Sequence, residues 1–328
     1  LYVKEQKELD FLTFYSDCIN LSRDLINSPA NKLNPSTYYS KIKNNNLFKS
    51  FNFIDYTEKE INSNFPLTCA VGKSSSSKPK VIEITNRKLS KKDKPLVIIG
   101  KGVTFDTGGV NIKPGTSMRN MKKDMGGSAI AISLFLLANY FLKKTKIVLI
   151  APIAENAISS KSMRPGDVYS SVSGKSVEIA HTDAEGRLLL ADAIEKASSY
   201  NPCMIIDFAT LTGAARVALG EDLPAYFCNN ETFAKKIENL NKEKLRCWRL
   251  PLYSPYLFKI KSQVADLSNA SLDGMAGSIT AALFLQEFLK SPNIPWFHFD
   301  TFAWSQDSKG AALQGLDIMS DFLRKNFN

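Results

Sequence analysis

From about residue 66 onward, short apolar runs alternate with longer stretches in which apolar positions recur every three or four residues. The short runs are rich in β-branched and aromatic residues and predict strands at 81–85, 95–99, 146–151, 176–179, 204–208, 226–228 and 296–299. The longer stretches predict helices at 127–141, 188–199, 214–219, 232–241, 278–289 and 316–324. Strands alternating with helices of this length predict an α/β fold. The expected architecture is a three-layer sandwich around a mixed, largely parallel sheet with helices on both faces. The part before residue 66 is polar and reads as helical, with exposed helices and loops over the Asn-, Lys- and Ser-rich stretch 31–64. The longest apolar stretch, 129–142, is interrupted by Ser133, Asn139 and Tyr140 and reads as a buried helix, so no membrane span is expected.

Composition narrows the chemistry. The chain has 328 residues, 44% of them hydrophobic, which suffices for a large core. Its five cysteines, Cys18, Cys69, Cys203, Cys228 and Cys247, are widely spaced with no CxxC, so they read as reduced thiols of a cytoplasmic protein. The only two histidines, His181 and His298, argue against a His-rich zinc site. The net charge is +10, from 42 basic and 32 acidic residues. Basic residues crowd between Lys73 and Lys94 without interleaved aromatics, so the excess reads as solvated surface rather than a nucleic-acid groove. The chain opens on Leu1, and the expectation is that it begins inside a longer polypeptide or after processing.

Three polar segments follow apolar runs, where α/β folds place their ligands. The first is 100–109, GKGVTFDTGG, continuing through Lys113 to the KKDMGG string at 122–127. The second is 181–187, HTDAEGR, and the third is Thr210-Leu211-Thr212-Gly213. Asp183 and Glu185 are two apart, so in an extended segment both would face one way. With Asp106 and Asp124 they would form a set of carboxylates at one sheet edge, tolerable only if cations sit among them. An oxygen-rich set suits magnesium, manganese, or zinc with carboxylates. Two ions sharing such ligands would lie ~3.5–4 Å apart. Lys101 and Lys113 border the set and could neutralise it, ligate as a neutral amine, or polarise a carbonyl. Arg187 opens a helix, where its charge opposes the helix dipole unless it clamps an anion.

Each string alone has a plainer reading. Asp183 and Glu185 could cap a helix, the Gly-Gly pairs could be turns, and Lys113 could be solvated. Together, the strings at 100–109, 122–127 and 182–192 (TDAEGRLLLAD) closely resemble signatures of the leucine aminopeptidase, or cytosol aminopeptidase, family. The resemblance extends over Asn27-Ser28-Pro29-Ala30, Ala154-Glu155-Asn156, Arg164-Pro165-Gly166-Asp167, 209–213 and 277–285, and so over nearly the whole chain from about residue 20.

The resemblance implies a metal-dependent leucyl aminopeptidase that hydrolyses the first peptide bond and releases mainly apolar N-terminal residues from peptides. It implies that Lys101, Asp106, Asp124 and Glu185 hold the tighter of two metals, and Asp106, Asp183 and Glu185 the more exchangeable one. Manganese or zinc would fill the pair, with magnesium or cobalt as options at the exchangeable position. Lys113 would polarise the scissile carbonyl, and Arg187 would hold a bicarbonate that serves as base for the attacking water. The peptide's amine would sit near Asp124; Met121, Thr210 and Gly213 would line the pocket for the first side chain, and Leu211 would also bind substrate. His181 stands at the substrate cleft where the family usually has Asn; an imidazole there could alter substrate preference or pH dependence, or replace one hydrogen-bonding group by another, which is the preferred reading. The family is commonly a hexamer with an additional N-terminal domain. The expectation is therefore a homo-oligomer in which 1–65 is a linker helix and the start of the catalytic domain, 66–328 the rest of that domain, and the N-terminal domain is absent. A DNA-binding architectural role on the same fold is the lesser alternative.

Overall fold

The computed structural model describes residues 6–307 and 310–327. Its strands are β1 (Asn52–Ile54), β2 (Lys80–Thr85), β3 (Leu96–Gly100), β4 (Gly102–Asp106), β5 (Ile147–Asn156), β6 (Val168–Ser170), β7 (Ser176–Glu178), β8 (Met204–Ala209), β9 (Ala225–Cys228), β10 (Trp248–Arg249), β11 (Leu267–Ser268), β12 (Trp296–Asp300), β13 (Trp304–Ser305) and β14 (Gly310–Ala311). The helices are α1 (Gln6–Asn27), α2 (Pro35–Lys43), α3 (Glu58–Asn64), α4 (Pro66–Gly72), α5 (Gly115–Met118), α6 (Gly126–Phe141), α7 (Gly186–Ser199), α8 (Gly213–Leu219), α9 (Glu231–Leu240), α10 (Gly277–Gln286) and α11 (Leu316–Asn326).

The main sheet runs β1-β2-β5-β3-β8-β12-β9-β10, with β4 also paired to β5. Its centre, β5-β3-β8-β12, is parallel, while β2 and β9 join it antiparallel. Both sheet faces are apolar, as parallel strands covered on two sides require. In β3, Leu96 and Ile98 enter one core and Val97 and Ile99 the other. In β8, Met204, Ile206 and Phe208 face the first core, and Ile205 and Ala209 the second. The first core is closed by α1, α2, α6, α9 and α11, and the second by α4, α7 and α10. The α/β sandwich expected from the chain's patterning is the one observed.

Three local differences bear on the site. The stretch 102–106, read above as part of a strand-end loop, is the strand β4, shifted in register against β5 between Val103 and Asp106. The run at 176–178 belongs to a separate sheet, β11-β7-β6, rather than to the main one. The early segment contributes Cys18, Leu25, Tyr38 and Phe48 to the first core, and its 52–54 stretch adds an edge strand. Periodicity could not separate these cases, because a short apolar run does not say which sheet it joins.

The helix that follows the KKDMGG string is apolar enough over 121–141 to match a membrane span in length, yet 83% of that apolar window is buried in the protein. It is a core helix pressed against the sheet. Gly127 permits the approach: a Cβ there would lie 2.2 Å from the Phe208 carbonyl oxygen and 2.8 Å from Ala209 Cα. Neither backbone atom can rotate away. Gly127→Ala is therefore expected to cost about 1–3 kcal/mol, because overpacking must push α6 off β8. Urea unfolding of the two proteins measures it, and equal midpoints would show that the contact is slack.

Candidate active site

Parallel pairing places the carboxyl ends of β3, β4, β5, β8 and β12 on one edge of the sheet. Lys101 follows β3 and is pinned there by its own backbone, its N–H donating to Phe208 O at 3.0 Å and its carbonyl accepting from Ser128 N at 2.8 Å. Its buried ammonium meets Asp124 Oδ2 at 2.9 Å and Glu185 Oε1 at 3.1 Å, and donates to Thr210 O at 2.8 Å. Asp106 ends β4, where its Oδ1 accepts from Gly108 N and from Asn156 Nδ2, both at 2.8 Å. Its Oδ2 lies 2.9 Å from Lys113 Nζ, and Lys113 also pairs with Asp183. Asp124 reaches the same place from the 3-10 turn Met121–Met125 and accepts from Thr210 Oγ1 at 2.7 Å.

Asp183 and Glu185 arrive by a turn, which corrects the extended reading above. Ala184 N donates to His181 O at 3.2 Å, and Glu185 has helical torsions, φ −73° and ψ −36°. The turn is fixed from outside. Thr182 N donates to Asn111 Oδ1 at 2.9 Å and Thr182 Oγ1 to Gly108 O at 2.6 Å. Asn269 spans the turn, accepting from Ala180 N and His181 N and donating to His181 O and Ala184 O. A local hydrogen-bonded turn, and not strand geometry, thus aims the two carboxylates.

Asp106, Asp124 and Glu185 are buried and offer oxygens that all lie within 4.8 Å of one another. Burial and the Asp106 charge raise the carboxyls of both Asp183 and Glu185 above their ordinary range. Against burial, Lys113 and Lys101 bring Asp106 below its own. Two ammoniums face four carboxylates here, and Glu185 Oε2 is buried with no hydrogen-bond partner. Excess negative charge, an orphaned buried oxygen and close oxygen donors fit hard or borderline divalent cations.

The predicted residues separate into three groups. Lys101, Asp106, Lys113, Met121, Asp124, Asp183, Glu185, Thr210, Leu211 and Gly213 line one cavity of about 300 Å³. Arg187 lies in the first turn of α7, is 7% exposed, and is not part of that lining. Its Nε and Nη1 are buried without partners, and burial lowers its pKa to about 10. These unmet donors fit an anion. His181 is exposed on the turn, where its Nδ1 accepts from Asp183 N at 3.2 Å, and it too lies outside the cavity lining.

Sequence reasoning missed two residues with clear roles. Asn269 sits in a loop without a motif, 88 positions from the turn it holds. Asp300 ends β12 and accepts from Leu211 N and Thr212 N at 3.1 Å and from Thr212 Oγ1 at 2.5 Å, so it shapes the loop after β8. The end of an apolar strand on the same edge was the available clue to Asp300.

Fold and site together define an α/β protein with an acidic, lysine-containing centre built to hold divalent cations. The catalytic-domain profile of the cytosol aminopeptidase family matches residues 20–319, and the chain belongs to that family. A probable cytosol aminopeptidase of Syntrophotalea carbinolica is 38% identical over 298 residues, covering 90% of this chain and 59% of the relative. One from Chlamydia caviae is 41% identical over 288 residues, covering 86% of this chain and 57% of the relative. The chain thus spans less than two thirds of the length of either. The crystal structure of cytosol aminopeptidase from Coxiella burnetii superposes with a TM-score of 0.90 at 40% identity, covering 98% of this chain and 71% of that one. The bottromycin maturation enzyme BotP in complex with manganese superposes at 0.89 with 30% identity, covering all of this chain and 74% of its own.

One glycine tests the geometry of the centre. A Cβ on Gly186 would lie 2.4 Å from Lys101 Cε and 2.7 Å from its Nζ. The flexible lysine would have to move, which would break its contacts with Asp124 and Glu185. Gly186→Ala is expected to keep the fold by circular dichroism while weakening manganese binding by roughly tenfold to a hundredfold in calorimetric titration. Unchanged affinity would show that the position of Lys101 does not matter to the ion.

Proposed function

We propose that this chain is the catalytic part of a leucyl aminopeptidase that releases mainly apolar N-terminal residues from peptides. The observation that carries the reading is the buried Asp106–Asp124–Glu185 cluster with Lys113 beside it, opening into a cavity that Met121, Leu211 and Gly213 line. In this reading Lys101, Asp106, Asp124 and Glu185 hold one divalent ion, and Asp106, Asp183 and Glu185 a second, manganese or zinc being suited and magnesium or cobalt options at the second. Bound there, the pair supplies Lewis-acid activation of water and of the scissile carbonyl.

The protein's own groups do the rest. Lys113 remains a cation, because its carboxylate neighbours outweigh burial and raise its pKa. Its ammonium can therefore donate to the carbonyl oxygen as negative charge develops there. The Asp124 carboxylate accepts from the free amine of the peptide, which restricts cleavage to the first bond. The unpartnered Nε and Nη1 of Arg187 would hold a bicarbonate, which would supply a base for the attacking water. Met121, Thr210, Leu211 and Gly213 receive the first side chain, and His181 offers a hydrogen bond at the cleft. Residues 66–328, with the end of 1–65, form the catalytic unit of a cytoplasmic homo-oligomer, a hexamer, on this reading.

Chelation is expected to abolish leucyl-p-nitroanilide hydrolysis, and manganese, zinc, cobalt or magnesium to restore it to different extents. Protein that binds metal but never recovers activity would refute the reading. Lys113→Ala is expected to lower kcat by roughly a hundredfold to a thousandfold, the scale for removing one oxyanion donor. Metal content measured by mass spectrometry should stay near the wild-type value, and a normal kcat would remove Lys113 from the reaction.

A further inference from the structure

Beyond the acidic cluster, the same cavity is lined by two cations that the reaction above does not use, Lys123 and Arg216. Both sit on one ring: Lys123 Nζ is 4.4 Å from the centre of Phe302, and Arg216 Cζ is 4.8 Å from it. Lys123 is only 5% exposed. Among the described residues, neither side chain makes a salt bridge or a hydrogen bond. The face of a ring offsets only part of the cost of burying an ammonium. The other carboxylates of the lining do not supply the missing partner. Asp300 is taken up by the loop after β8 and by Ser278 Oγ at 3.2 Å, and Glu221 forms no ion pair with either cation.

The two cations adjoin the residues assigned to the first side chain. Lys123 shares its 3-10 turn with Met121, and Arg216 lies three positions after Gly213 on α8, hence on the same helix face. We propose that this wall binds a side-chain carboxylate, so that the enzyme removes N-terminal glutamate and aspartate as well as apolar residues. The proposal rests on the aminopeptidase reading and names a substrate class for the same site. Arg216 supplies a planar fork that a carboxylate can bridge, and Lys123 a second charge from inside the cavity. The apolar part of an acidic residue still meets Met121 and Leu211, so one cavity serves both classes.

Glutamyl- and glutaminyl-p-nitroanilide match in shape and differ in charge. Their kcat/KM values are compared with that of the leucyl substrate, using the manganese-loaded full chain. Glutamyl is expected to exceed glutaminyl by roughly tenfold, the scale of one charged hydrogen bond. Lys123→Met and Arg216→Ala are each expected to pull that ratio toward one. Arg216→Glu is expected to turn the preference from glutamyl toward lysyl substrate. Bound manganese is measured for every variant, because Lys123 precedes the ligand Asp124, and ratios are compared at equal occupancy. Leucyl turnover with glutamyl no better than glutaminyl overturns the acidic wall and leaves the aminopeptidase reading standing. So does a high ratio that neither Arg216 variant changes. No turnover of any substrate at full metal occupancy overturns both.

Discussion

Carboxylates withdrawn from water must be met by cations, and in this protein that requirement organises the catalytic edge of the sheet. Asp106, Asp124 and Glu185 are at most 3% exposed, and burial together with the Asp106 charge holds the Glu185 carboxyl high. The Lys101 ammonium touches two of the three and Lys113 the other. These two cations leave the cluster short of positive charge. A site that is electrostatically incomplete by itself yet rigidly built is what a cation-binding centre requires, since the ligands cannot relax away from one another.

Rigidity comes from where the ligands are anchored. Lys101 directly follows one strand and Asp106 ends another in the covered part of the sheet, and Asp124 precedes a helix buried along nearly its whole length. The weak point is the 181–185 turn, which follows a strand of the small sheet and has no ladder of its own. Asn269, Thr182 and Asn111 hold it by side-chain hydrogen bonds to its backbone. The buried histidine belongs to this scaffolding rather than to the centre. His298 Nδ1 lies 2.5 Å from Asp207 Oδ1, and Trp296 Nε1 donates to Asp207 Oδ2 at 2.6 Å, within the second core. Asp207 overcomes burial and keeps His298 above its ordinary pKa.

The layering of the fold was legible because strand and helix periods differ, and the parallel centre because alternation with helices permits little else. Convergence of Lys101, Asp106, Asp124, Asp183 and Glu185 was legible because each stands next to the end of an apolar run. How they converge was not. A turn and an extended segment of five residues share a composition, and the bonds that choose the turn come from Asn269, far away in sequence. For the same reason the sequence marked Arg187 as an oddity at a helix start but could not show that two of its nitrogens are buried without partners. Lys123 stands in a basic pair beside Lys122, and nothing in the local sequence marks it as buried. Its burial follows from the packing of its 3-10 turn against β4 and α1 and of its ammonium over Phe302, which no local pattern encodes.

That burial gives the cavity two electrostatic ends. Toward Asp106, Asp124 and Glu185 it is acidic, and toward Lys123 and Arg216 it is basic, and Met121 and Leu211 line the same cavity. An N-terminal residue of a peptide carries a fixed positive charge on its amine and a variable group on its side chain. On the proposed reading, the acidic end would orient every such residue by the amine, whatever its side chain. The basic end would act only on the side chain, and would discriminate because a carboxylate would supply the partner Lys123 lacks while an ammonium there would add repulsion. Apolar residues would gain from Met121 and Leu211 and leave the two cations on their aromatic ring. Orientation and selection would thereby fall to different ends of one cavity, and a change at Arg216 would alter which residues are chosen without disturbing how they are held for attack.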